Sequence, residues 1–151
     1  MNIVDYSTKF DVPSSTLEKH VDFFPKNIFC IISGSTGSGK TNLLVNLILQ
    51  KDVINYSDLY VYSTTLHQPA YEYLKKCFEM FEKNIYNKTH KTVKLAHFND
   101  KDSELVDPST LSKDQNHVMV FDDVMMEDQS TIKKYFCSGR HNNINVFYLV
   151  Q

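Results

Sequence analysis

Apolar residues follow two rhythms along this chain. Short unbroken runs stand at Ile28-Phe29-Cys30-Ile31-Ile32, Leu59-Tyr60-Val61-Tyr62-Ser63, Val118-Met119-Val120-Phe121 and 144–150, with a more mixed run at 92–98. Runs this short, bounded by glycine or polar residues, predict strands buried on both faces of a parallel sheet. Between them the rhythm is helical. Leu43, Leu44, Leu47 and Ile48, widened by Val45 and Leu49, predict a helix over 40–50. Pro69 opens a second predicted helix through about residue 83, with Tyr73, Cys77, Met80 and Phe81 on one face. A third is predicted over 128–137, stopped by Gly139. Strands alternating with helices predict an α/β fold around a mostly parallel sheet.

The remaining stretches carry less pattern. Residues 99–116 are polar and acidic, include Pro108, and predict a solvated loop with a short helix. Residues 1–26 are weakly patterned, and Ser15-Thr16-Leu17-Glu18 offers a helix start between Pro13 and Pro25. They are read as a lead-in that packs on a domain spanning 27–151.

Composition narrows the class. A chain of 151 residues with 42% hydrophobic content suits one domain with an ordinary core. A net charge of −2 gives no general attraction for nucleic acid, so DNA contact would be local or would arise from assembly into a ring. Cys30, Cys77 and Cys137 are odd in number, far apart and in apolar contexts, and read as buried free thiols without a zinc pattern. The start has neither a basic nor an apolar leader region, and no segment approaches membrane-spanning length. The expectation is a soluble, intracellular protein.

Candidate chemistry concentrates at one place. Gly34-Ser35-Thr36-Gly37-Ser38-Gly39-Lys40-Thr41 fits G-x-x-x-x-G-K-[ST], between a predicted buried strand and a predicted helix, and holds three of the chain's four glycines. Backbone N–H groups of such a loop converge on phosphate oxygens, and the helix N-terminus adds partial positive charge. Lys40 would reach the β- and γ-phosphates and Thr41 would ligate Mg²⁺. The expected ligand is ATP with Mg²⁺, although no base-specific motif separates ATP from GTP. A second constellation, Asp122-Asp123, follows a predicted strand. Asp122 would join the Mg²⁺ shell, and Asp123 would orient or deprotonate the attacking water. Alone, the pair reads equally as two solvated aspartates at a strand end. Gly139-Arg140-His141 contains the only arginine among the 16 Lys and Arg residues. A planar guanidinium can clamp transition-state charge as an arginine finger to a neighbouring subunit, or can serve as a structural ion pair or helix-end charge. His141 reads as structural.

The series G-S-T-G-S-G-K-T-N-L-L, D-L-Y-V-Y-S-T-T-L-H-Q-P, V-M-V-F-D-D-V and S-G-R-H-N-N-I-N-V-F-Y-L-V-Q resembles the genome-packaging ATPases of poxvirus-like large DNA viruses, virophages and Polinton (Maverick) elements, within the FtsK–HerA group. The resemblance runs from about Ile28 to Gln151. It implies a three-layer P-loop NTPase sandwich of the additional-strand type, with the strand ending in Gln151 lying between the loop strand and the Asp122-Asp123 strand. It implies Lys40, Asp123, Gln151 as sensor and Arg140 as possible finger among the catalytic residues. The loop 34–41 would bind nucleotide, and Thr41 and Asp122 the metal. Asp123 stands where the wider group commonly has glutamate. A further strand normally flanks the loop strand on its other side, so the resemblance also implies that the last core strand is missing and that 28–32 becomes an edge.

The function implied is an ATP-driven motor subunit that packages double-stranded DNA, in a homo-oligomeric ring with capsid or portal partners, in a virus factory, the nucleus or the virion. Two alternatives stand beside it: a nucleotide-binding module without turnover, and a small nucleoside or nucleotide kinase. Kinases usually grip their substrates with several arginines, which disfavours the latter here.

Overall fold

The computed structural model describes residues 20, 21, 23–100, 105–124 and 130–151. Among the described residues are five strands and three α-helices: β1 (Phe29–Ser33), α1 (Lys40–Leu49), β2 (Asp58–Ser63), α2 (Pro69–Thr89), β3 (Ala96–Asn99), β4 (His117–Asp122), α3 (Ser130–Ser138) and β5 (Ile144–Val150). Short 3₁₀ turns occupy Pro108–Thr110 and Gly139–Asn142. All neighbouring strands are parallel, in the order β1-β5-β4-β2-β3. The strand leading to Gln151 therefore does lie between the loop strand and the Asp122-Asp123 strand.

Each strand face feeds one of two apolar clusters. Leu59, Val61, Val118, Val120 and Phe147 pack with Leu44, Ile48, Leu74 and Phe78 from α1 and α2. Met119, Phe121 and Val146 turn the other way, against Ile132 and Tyr135 of α3. All six residues of β4 are buried, as expected of a central parallel strand covered on both faces. The register then aligns the strand ends: Ser33 lies opposite Val150, Leu149 opposite Asp122, and Asp122 opposite Ser63. Ligands of open α/β sheets bind outside this carboxyl edge.

Several sequence expectations change in detail. Helix α2 runs to Thr89 rather than about 83, because no glycine or proline interrupts it; it ends where His90 turns left-handed (φ 55°) and its N–H bonds the Tyr86 carbonyl. Its buried residues are Tyr71, Leu74 and Phe78, while Tyr73 and Met80 are about half exposed. The apolar residues surround much of this helix, so docking on the sheet chose the face. In α1 the buried set is Leu44, Val45, Ile48 and Leu49, and Leu43 faces outward. Strand β3 starts at Ala96, not 92: Glu82 of α2 accepts hydrogen bonds from the N–H groups of Leu95 and Ala96 and holds the approach to the strand. Cys30 and Cys77 are only half-buried and Cys137 is exposed, against the expectation of buried thiols. The α3 start expected at 128 and the helix start at Ser15 lie outside the described residues. Among the described strands β1 has β5 as its one neighbour, and Ile31 is 63% exposed.

A buried polar clasp closes the opposite end of the sheet. Asn145 of β5 accepts the Ile28 N–H (2.9 Å), contacts Nε2 of His20 (3.2 Å) and donates to the His117 carbonyl (3.3 Å). His20 Nδ1 accepts the Asn55 N–H (2.9 Å). One ring nitrogen accepting and the other donating requires the neutral imidazole. Burial pushes the His20 pKa below its ordinary 6.5, opposed by the bonds to Asn145 and the Lys26 backbone. A histidine depressed in the fold is neutral in both states above about 6.5. Below that value the unfolded chain takes up more protons, so stability falls as pH falls through the folded pKa. Thermal unfolding from pH 7.5 to 5.5 should show a smaller loss of midpoint in His20→Gln than in the unaltered chain. Equal losses would remove His20 as the titrating group.

Candidate functional site

Strand β1 runs directly into the glycine loop, and α1 leaves it. Gly37 and Gly39 hold φ of 77° and 87°, left-handed angles that L side chains resist. A Cβ at either would meet nothing within 4 Å, so backbone angle rather than space demands glycine there. Gly39 is the N-cap of α1 and provides no side-chain cap. No side chain caps the first N–H groups of α1, which leaves them available to an anion. Inside the loop, Lys40 Nζ donates to the carbonyls of Gly34 (2.7 Å) and Ser35 (3.0 Å).

The end of β4 closes on this loop. Asp122 is 6% exposed, and its Oδ2 accepts from Thr41 Oγ1 at 3.4 Å and from the Tyr71 hydroxyl at 2.6 Å. Burial, the largest influence, pushes Asp122 above the ordinary carboxylate value; the bonds from Tyr71 and Thr41 pull it down, Asp123 adds to the rise, and Lys40 opposes it. Asp123 is exposed, adopts φ 54°, and has its carbonyl bonded by Thr64 Oγ1 at 3.3 Å. Gln151 follows the end of β5 and is exposed. One open cavity of about 580 Å³ is lined by Gly37, Lys40, Thr41, Asp122, Asp123 and Gln151, among others.

Residues 80 and more positions apart in sequence are thus gathered at one sheet edge. Arg140 is not among them. It lies in the 3₁₀ turn before β5, whereas the cavity is lined from the carboxyl end of β5 onward, Tyr148 to Gln151. A seven-residue strand spans about 20 Å, so Arg140 sits at the far edge from its own chain's loop.

The profile described as Poxvirus A32 protein matches residues 20–151. The chain belongs to the poxvirus A32 family. This is a family of genome-packaging ATPases, which implies a role in viral DNA packaging. The A32 match covers the glycine loop, Asp122, Asp123, Arg140 and Gln151 alike. No curated protein and no solved structure matches the chain. Among the described residues, no helix is long and apolar enough to cross a membrane.

The cavity also contains residues that the motifs do not single out. Thr65 and Gln68, from the β2–α2 connection, line it. Tyr71 is fully buried and reaches Asp122 from the first turn of α2. Pro69 at the start of that helix, just after a strand ending at the same edge, was the available signal. It places the first turn of α2 beside the site.

An ATP·Mg²⁺ ligand fits these groups. Magnesium is usually held by one or two carboxylates together with phosphate oxygens. Thr41 and Asp122 supply a hydroxyl and a carboxylate side by side, next to uncapped N–H groups and a lysine.

Proposed function

We propose that this chain is the ATP-hydrolysing subunit of a motor that packages double-stranded DNA into capsids. One observation carries the reading: in a chain of the A32 family, loop residues 36–41, Asp122, Asp123 and Gln151 line one cavity at the carboxyl edge of a parallel sheet. The backbone N–H groups of 34–41 and the α1 N-terminus bind the triphosphate. Lys40 leaves the Gly34 and Ser35 carbonyls to meet the β- and γ-phosphates. Thr41 and Asp122 hold Mg²⁺. When bound, the ion neutralises charge on the phosphate oxygens. Asp123, carboxylate in solvent and backbone held by Thr64, orients and deprotonates the attacking water. Gln151 can donate and accept at once, which suits a sensor between phosphate and water. Arg140, remote from its own loop, serves a neighbouring subunit's nucleotide in a ring.

The test is ATP hydrolysis with and without double-stranded DNA. Turnover should rise with DNA. Mixtures of Lys40→Ala and Arg140→Ala subunits should recover part of the activity that each lacks alone. Hydrolysis indifferent to DNA would overturn the motor reading, and no recovery at any mixing ratio would remove Arg140 from the neighbour's site.

A further inference from the structure

The most buried polar contact in the site comes from outside its sequence motifs. The Tyr71 side chain is fully buried. Its ring belongs to the apolar cluster with Leu44, Leu74 and Val120, and its hydroxyl lies 2.6 Å from Asp122 Oδ2. An O–H···O contact at that length to a carboxylate is in the strong, charge-assisted range. Burial raises the phenol pKa far above its ordinary value, with the charge of Asp122 adding to the rise, so the proton stays on Tyr71 and the hydroxyl donates. A phenylalanine would fill the same apolar space, so packing alone does not call for the hydroxyl. The Thr41 hydroxyl approaches the same Oδ2 at 3.4 Å, and neither bond engages Oδ1.

We propose that Tyr71 is a positioning residue for the metal: its hydroxyl, fixed by the core packing of its ring, holds the Asp122 carboxylate against Thr41 in the orientation that receives Mg²⁺. The proposal rests on the reading that Thr41 and Asp122 hold that ion. Carboxylates that ligate metals are themselves hydrogen-bonded, and loss of such a partner typically weakens metal binding by about 10- to 100-fold. Tyr71 stands at the start of α2, so its hydroxyl ties the helix to Asp122.

The test needs no turnover. A fluorescent, non-hydrolysable ATP analogue is titrated with and without Mg²⁺ into the full chain, Tyr71→Phe, Asp122→Asn, the double variant and Lys40→Ala, with thermal unfolding to verify folding. The ratio of affinities with and without Mg²⁺ should fall about tenfold in Tyr71→Phe, while metal-free affinity stays roughly as in the unaltered chain. In the Asp122→Asn background, Tyr71→Phe should add nothing. An unchanged ratio in Tyr71→Phe, or an equal further loss in the Asn background, overturns the proposal. If the unaltered chain gains nothing from Mg²⁺, or if Lys40→Ala binds as it does, the site reading fails and Tyr71 falls with it. Should Tyr71→Phe not fold, the unaltered chain labelled at tyrosine ¹³Cζ gives a second measurement. The Tyr71 resonance should move with analogue plus Mg²⁺ and not with analogue alone; a resonance indifferent to the metal overturns the proposal.

Discussion

Lys40→Ala is expected to keep no more than about 1% of its ATP hydrolysis and, through loss of a charged contact to phosphate worth about 1.5–3 kcal/mol, to bind Mg²⁺·ATP about 100-fold more weakly. The lysine is the one loop side chain whose charge can meet the γ-phosphate, and removing a preorganised donor to developing phosphate charge typically costs about 10²–10³ in rate. Its present bonds make the loss specific. Nζ is held 2.7 and 3.0 Å from two loop carbonyls, so the cation is already stored within a side chain's reach of the cradle. Neither apolar cluster includes Lys40, so the variant should fold normally. Hydrolysis and nucleotide titration on the same preparation check both halves. A variant with unchanged turnover would mean that the glycine loop is not the nucleotide site.

The second large effect separates chemistry from binding. Asp123→Asn should lower turnover by about 10²–10⁴, the usual worth of a positioned acid or base, with nucleotide affinity roughly unchanged. Asparagine is the proper replacement because Asp123 sits at φ 54°, a conformation that asparagine accepts better than most residues. The Thr64 bond to the Asp123 backbone carbonyl also survives the change. Single-turnover kinetics would check it. Loss of affinity in parallel with loss of rate would place Asp123 in binding, not in water activation.

The parts of this molecule that sequence made readable share a cause. Strands β4 and β5 are buried on both faces or nearly so, and their apolar runs are hard to read otherwise; β1 carries the same kind of run although Ile31 is exposed. The loop at 34–41 is local in sequence, and its left-handed glycines are required by backbone geometry alone. The misread parts depend on contacts between distant residues. Helix α2 carries apolar residues on several faces, and only the sheet beneath it selects Tyr71, Leu74 and Phe78 over Tyr73 and Met80. The start of β3 depends on Glu82, 13 residues before Leu95. The exposure of Cys137 likewise follows from which side of α3 meets the sheet. The Tyr71–Asp122 bond joins residues 51 apart, and no spacing rule links a helix tyrosine to a strand-end aspartate. For the same reason the clasp of His20, Asn145 and His117 had no local signature.

Site and chemistry meet in one binding experiment. Equilibrium titration of a non-hydrolysable ATP analogue with Mg²⁺ into the unaltered chain, Lys40→Ala and Asp123→Asn, side by side, tests whether the gathered residues form a nucleotide site with divided roles. The unaltered chain and Asp123→Asn should bind with matching affinity, and Lys40→Ala should lose about two orders of magnitude. Indistinguishable binding by all three would contradict it.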